Sequence, residues 1–267
     1  MLHYITWDPD PELIRIGSFA IRWYGLLFAS GFIFGYFFML RIFKNEDKTS
    51  KLLDQLATYM VIATVIGARL GHCLFYEPEY YLDNPLEILM IWKGGLASHG
   101  AAIAIAFALY FFSKKNKLPV IWVFDRIAIV VALAGFFIRI GNLMNSEIYG
   151  KASDLPWAFI YAKDDLIPRH PTQIYEALSY LLIFVFLYTF YWKKKGNPKP
   201  GFLLGMFMIL VFTARFLIEF LKEPQVSFEQ EMFLNMGQLL SIPFVLIGLI
   251  AVFRPVKKTE KKEAPAQ

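Results

Sequence analysis

IWVFDRIAIVVALAGFFIRIGNLMNSEIYG, residues 121 to 150, sets the terms for the whole chain. Residues 121–141 form an almost unbroken apolar run, and about 20 such residues let a helix cross the hydrocarbon of a bilayer. The stretch RIGNLMNSEIYG (139–150) then places Arg139, Asn142, Asn145 and Glu147 against the end of that run. Charged and amide side chains at the mouth of a membrane span are costly to bury, so they point to function there.

The same apolar character extends along the chain. Its 267 residues are 57% hydrophobic and 18% aromatic, but only 18% charged, against about 25% charged in soluble domains. The mean hydropathy is +0.46. Seven apolar segments predict an all-α integral membrane protein with seven transmembrane helices: about 18–41, 53–75, 94–113, 121–141, 173–192, 201–221 and 236–253. A single cysteine, Cys73, excludes an internal disulfide framework and a cysteine-rich metal site, and no metal-ligand spacing is present. The net charge of +5 sits in short runs between apolar segments, which fits loops beside anionic lipid rather than nucleic-acid binding.

Those runs fix an orientation. Arg41, Lys44, Lys48 and Lys51 lie in the first connection, Lys114, Lys115 and Lys117 in the third, and Lys193, Lys194, Lys195 and Lys199 in the fifth. The tail adds Arg254, Lys257, Lys258, Lys261 and Lys262. The positive-inside rule then puts the N-terminus outside and the C-terminus inside. The opening MLHYITWDPDPELIRIG lacks the basic start and cleavage site of a signal peptide. Residues 1–254 read as one transmembrane domain and 255–267 as a disordered, charged cytoplasmic tail. Residues 76–93 (YEPEYYLDNPLEILMIWK) read as an amphipathic arm at the interface, and 142–172 as a small extracytoplasmic head. No internal repeat is visible, which argues against an inverted-repeat transporter.

With that topology, the polar residues inside spans gather at one leaflet. Tyr24 lies near the outer start of the first span, with Arg69 and His72 in the last turns of the second. His99 falls about a turn and a half into the third span. Arg139 closes the fourth, Glu176 opens the fifth, and Arg215 and Glu219 occupy the outer third of the sixth. Asp125 and Arg126 fall instead at the inner side, where an adjacent pair reads as a solvated interface pair. Arg215 and Glu219 are four apart on one helical face and can neutralise each other. Arg69 reads as a brace, and His72 and His170 as structural histidines. Gly31/Gly35, Gly67/Gly71 and Gly201/Gly205 have the small-residue spacing of helix-packing faces. Around the opening stretch, Arg139 supplies a planar fork suited to phosphate. Asn142 and Asn145 offer amides, Glu147 can orient the arginine, and Gly150 permits a turn. Together they predict a phospholipid headgroup site facing the outer leaflet.

At these residues the chain resembles the bacterial phosphatidylglycerol–prolipoprotein diacylglyceryl transferase family. The resemblance rests on IRWYG (21–25), SHGA (98–101), RIGNLMNSEIYG (139–150), RHPTQIYE (169–176) and ARFLIEF (214–220), in the family's order. It implies a seven-span enzyme of the bacterial cytoplasmic (inner) membrane with its active site toward the outer leaflet. The reaction transfers the diacylglyceryl group of phosphatidylglycerol to the lipobox cysteine of a prolipoprotein signal peptide. By resemblance, Tyr24, His99, Arg139, Asn142, Glu147, Gly150, Arg215 and Glu219 match essential positions, and no cofactor is implied. Ile138 and Ala101 replace glycines common in the family, and Val211 stands where it often has tyrosine.

The chemistry fits the inventory. Only a few per cent of a cysteine thiol is ionised at neutral pH, so a proton acceptor is needed. His99 is the candidate, with substrate phosphate as the alternative. Arg139 and Arg215 are the candidates to stabilise the phosphate leaving group, with Tyr24 beside them as a catalytic candidate and Asn142, Asn145, Glu147, Gly150 and Glu219 as lipid-binding ones. The competing reading is a multi-span lipid transporter or flippase, whose polar residues would be spread through both leaflets. A reporter active only outside the cytoplasm, fused to the C-terminal tail, is expected to give no signal. Strong activity there would overturn the orientation.

Overall fold

The computed structural model describes residues 4–17, 19–223 and 232–255. Helix dominates: α1 (Trp23–Asn45), α2 (Ser50–Phe75), α3 (Pro78–Asp83), α4 (Ser98–Lys115), α5 (Val120–Met144), α6 (Thr172–Lys193), α7 (Phe202–Glu219) and α8 (Met236–Phe253). Among the described residues, six of them (α1, α2, α5, α6, α7 and α8) are long and apolar enough to cross a bilayer. The remaining long helix, α4, is apolar in its middle, but Ser98 and His99 begin it and Ser113, Lys114 and Lys115 end it. The chain is thus an all-α, multi-pass membrane protein. Large apolar side chains such as Ile33, Phe37, Ile62, Ile66, Phe107, Leu182 and Ile250 point outward, as a lipid-facing surface requires.

The central helix is α5, which packs against α1, α4, α6 and α7, while α2 pairs with α4 and α7 with α8. Ile42, Phe43, Leu109, Phe112, Ile129, Leu187 and Leu203 form its best-buried core. Where backbones come closest, side chains have been removed. A Cβ at Gly71 would lie 2.6 Å from the Gly100 Cα, and one at Gly248 would lie 2.7 Å from the Gly205 carbonyl oxygen. Close approach of this kind is how helices associate where lipid supplies no hydrophobic contrast. Gly201 departs from the packing role expected of it, because it caps the start of α7 with φ +85°.

Several boundaries differ from the hydropathy reading. The first span begins at Trp23 rather than 18, because Glu12–Ile16 (β2) and Phe19–Arg22 (β3) form a hairpin. Likewise α4 begins at Ser98, after Gly94 and Gly95 with φ +90° and +71°, so His99 lies in its first turn. The head also recruits the N-terminus. Ile5–Trp7 (β1) pairs in parallel with Phe159–Tyr161 (β4), which pairs antiparallel with Pro168–Arg169 (β5). The tail from residue 256 onward lies outside the described residues.

The pair at the opposite end is not solvated. Asp125 has no exposed surface. It accepts from the backbone N–H of Gly201 at 2.7 Å and of Leu204 at 2.9 Å, satisfying the free amides that open α7. Arg126 is 5% exposed and pairs with Glu46 at 3.0 Å, whose carboxylate also receives Trp122 and Tyr191. Adjacency suggested a pair at the water boundary, but each residue is turned toward a different helix.

Residues 76–93, the segment read as an arm, hold α3 followed by 3-10 turns at Pro85–Leu89 and Ile91–Lys93. Arg69 is buried beneath it and donates to the carbonyls of Glu87, Ile88, Gly94 and Gly95 at 2.5–3.3 Å. On the outside, Leu82, Leu86, Leu89 and Trp92 are 72–79% exposed. Gly100→Ala tests the α2–α4 contact. Its new methyl meets the Gly67 carbonyl and Gly71 backbone, so a loss of about 1–3 kcal/mol is expected. The check is a lower melting midpoint in detergent.

Candidate active site

The last turns of α5 carry Arg139 and Asn142, and the chain then doubles back so that Glu147 returns to them. The loop is fastened from the start of α6. Gln173 donates to the Glu147 carbonyl at 2.7 Å and Thr172 to the Ile148 carbonyl at 2.9 Å, while Trp7 donates to the Leu143 carbonyl at 2.9 Å. In this setting the amides of Asn142 and Asn145 donate to Glu147 Oε1 at 2.7 and 3.3 Å. Arg139 Nη1 in turn donates to Asn142 Oδ1 at 3.1 Å. Glu147 therefore orients the arginine through Asn142, not by direct contact.

A second chain of charge starts from the other edge of Arg139. Its Nε lies 2.9 Å from Glu176 Oε2, an ion contact in which that oxygen accepts no hydrogen bond. Glu176 Oε1 faces Lys222 Nζ at 2.9 Å, and the same ammonium lies 3.3 Å from Glu219 Oε2. Glu176 has no exposed surface, and Lys222 and Glu219 are 3% and 7% exposed. The Glu219 carboxylate rests on the first turn of α8, where a Cβ at Gly237 would lie 2.6 Å from it. A helix N-terminus favours negative charge. Buried charges persist when each has a partner, and here cation and anion alternate from α5 through α6 to α7.

The expected Arg215–Glu219 pair is absent among the described residues. Lys222 occupies Glu219 instead, and Arg215 Nε is buried with no hydrogen-bond partner among the described residues. The spacing of four allowed the pair, but the turn after α7 brings a nearer cation. Tyr180 lies among Arg139, Glu176 and Arg215, with its ring against Gly135. Among the described residues, Arg215 thus has a guanidinium Nε left without a partner beside a paired network.

Tyr24 reaches the cluster from α1. Its ring packs on Gly141, where a Cβ would lie 2.9 Å away, close enough for the charges of Arg139 and Glu147 to act on its hydroxyl. Gly150 plays a different part from the turn expected of it. It has no positive φ, and a Cβ there would lie 2.5 Å from the Leu221 carbonyl oxygen and 2.6 Å from His170 Cβ. Its missing side chain lets the strand-like segment at Lys222 bridge to it, which sets the height of the Lys222 ammonium. His99 stands apart, with its ring against Phe75 and Tyr76 at 5.3 and 5.7 Å.

Above the site, the head is braced by charge. Arg169 forks onto Asp165, reaches Glu223 at 2.8 Å and covers the Tyr149 ring. Its hydrogen bond and charge hold the Asp165 carboxyl below the usual carboxylate range. Burial lowers the pKa of His170, favouring the neutral ring, and its Nδ1 lies 3.3 Å from the Tyr175 hydroxyl.

This arrangement has known counterparts. The family model described as prolipoprotein diacylglyceryl transferase matches residues 11–254. This chain belongs to that family. It is similar to the phosphatidylglycerol–prolipoprotein diacylglyceryl transferase of Tolumonas auensis, 48% identical over 255 residues, which cover 95% of this chain and 98% of that protein. That of Chloroherpeton thalassium is 47% identical over 258 residues, 96% of each, and that of Bacteroides fragilis 43% identical, covering 98% and 99%.

Of the residues singled out from sequence, the fold brings Tyr24, Arg139, Asn142, Asn145 and Glu147 together. It links Glu219 through Lys222 and Glu176, and places Gly150 behind them. Lys222, Gln173 and Tyr180 escaped the sequence reading. Lys222 carried two signals: it is a lysine at the helix end where the charge pattern places few, and it lies three residues from Glu219. Arg215→Ala, which strands no carboxylate among the described residues, is expected to accumulate near the parental level. Glu176→Ala leaves two cations buried without their shared anion, an expected cost of about 3–5 kcal/mol. The monodisperse fraction after detergent extraction compares them.

Proposed function

We propose that the chain catalyses the family's reaction at this cluster: it transfers the diacylglyceryl group of phosphatidylglycerol to the lipobox cysteine of a prolipoprotein, the first step of lipoprotein maturation. The observation carrying this reading is a mouth of the bundle holding Arg139 on a rigid relay and Arg215 without an acid partner among the described residues. Two guanidiniums there suit one phosphodiester.

The cysteine sulfur attacks the glycerol carbon that bears the phosphate ester. An S–C bond forms, the C–O bond breaks, and glycerol phosphate leaves with the electron pair. Arg139 and Arg215 stabilise the charge that develops on that oxygen, and Tyr24, Asn142, Asn145, Glu147, Gly150 and Glu219 hold them or the headgroup in place. His99 takes the thiol proton. Its position beside Phe75 and Tyr76, at the arm rather than in the charge network, supports a division of labour. The lipid phosphate meets the α5–α7 face, and the thiol arrives from the α2–α4 side.

The proposed setting is seven spans in the bacterial cytoplasmic membrane, with α4 as the third and the site toward the outer leaflet. In support, alternation of helix direction puts all the cluster residues, the head and the arm at one end of the bundle. The lysine-rich connections lie at the other. The exposed leucines and Trp92 of the arm fit a membrane interface, where aromatic and apolar side chains anchor.

Purified protein mixed with phosphatidylglycerol vesicles and a lipobox peptide is expected to yield a lipidated peptide; vesicles of phosphatidylcholine alone are expected to yield none. His99→Gln is expected to lower turnover roughly 10²–10⁴-fold with lipid binding retained. Turnover within a few-fold of the parent would move the proton to the substrate phosphate.

A further inference from the structure

Lys222 is a cation with 3% exposure at the end of a span, and a phosphate site does not by itself require it to face away from the lipid. Its Nζ binds Glu176 Oε1 at 2.9 Å and Glu219 Oε2 at 3.3 Å. Its backbone is bridged to Gly150, and the preceding carbonyl of Leu221 accepts from the Lys151 N–H at 2.8 Å. The ammonium is therefore fixed by main chain as well as by charge.

The consequence falls on Arg139. A carboxylate beside a guanidinium ordinarily takes a fork-on-fork, two-bond geometry. Glu176 does not do so here. One oxygen is held by Lys222, and the other lies 2.9 Å from Arg139 Nε but accepts no hydrogen bond among the described residues. On its other side Arg139 uses Nη1 for the Asn142 amide oxygen, a neutral group that a stronger anion can outcompete.

We propose that Lys222 is a positioning residue for the transfer reaction: by holding Glu176 through Oε1, it stops that carboxylate from closing on the Arg139 fork and so keeps the fork available to the lipid phosphate. This rests on the transferase reading above. Lys222 touches neither phosphate nor thiol. Without it, Glu176 becomes the internal competitor of the substrate anion.

The test uses the full chain in phosphatidylglycerol vesicles with a lipobox peptide, with kinetic constants normalised to folded protein. Lys222→Met is expected to raise the KM for phosphatidylglycerol at least tenfold, with kcat within a few-fold of the parent. Lys222→Arg should stay near the parental KM. The double variant Lys222→Met with Glu176→Gln should bring KM back toward the parent, because an amide is no rival to phosphate. A purely structural lysine would lower folded yield and leave the KM of the folded fraction unchanged; that result overturns the proposal, as does a raised KM that Glu176→Gln fails to lower. If Lys222→Met does not accumulate, Lys222→Gln, which keeps polar contact but drops the charge, takes its place with the same expectations. A parent that makes no lipidated peptide would reject the transferase reading itself. An active parent beside an unchanged KM rejects only the role of Lys222.

Discussion

A carboxylate with no exposed surface, set between two cations, is the constraint on which the rest of this site depends. Glu176 joins Arg139 of α5 to Lys222 beyond α7, and Lys222 carries the connection to Glu219 and the first turn of α8. Taking any one of these charges out of water costs several kcal/mol, so each is tenable only with its partner present. The result is a bundle mouth whose helices cannot shift independently. Such rigidity is what phosphate chemistry asks of its cations, because preorganised charge stabilises a transition state without reorganising first.

The same economy governs the head. Its apolar cluster is small, Leu143, Phe159 and Tyr161 with Trp7, Tyr149 and Ile174 packed on them, and strand pairing with the N-terminus and side chains reaching across add to its hold. Trp7 binds the end of α5, Gln173 and Thr172 bind the loop carrying Glu147, and Arg169 ties Asp165 to Glu223. Non-helical backbone near a membrane is tolerable where protein satisfies it. Gly150 belongs to this scheme as a point of close approach, which places the Lys222 segment against the head.

Two regions of different chemistry thus share one end of the bundle. The α5–α7 face is dense in fixed charge. The wall of α2, α4 and the arm is aromatic, with His72, Tyr76, Tyr81 and His99 in ring contact, and Arg69 beneath holding the arm by its carbonyls. A reaction between an anionic headgroup and a thiol on an apolar peptide has use for both surfaces.

The membrane class, the helices to within a few residues, and the collection of polar groups at one end were legible in the sequence. Those follow from local hydropathy and charge, which depend only on neighbours in the chain. The quoted stretch at 139–150 already held Arg139, Asn142 and Glu147, and their spacing put them within reach of each other. The partners were decided by tertiary structure. Arg215 and Glu219 were compatible in spacing, and so were Glu219 and Lys222, three apart; Glu219 took Lys222 because the turn after α7 sets that ammonium against Glu176 of α6 as well. Asp125 and Arg126 looked like surface neighbours, but α7 and Glu46 approach them from segments about 80 residues apart in the chain. The N-terminal strand found β4 across an even longer gap. An ion pair or a strand pairing is set by which backbones meet in space, and periodicity along one helix carries no record of that meeting.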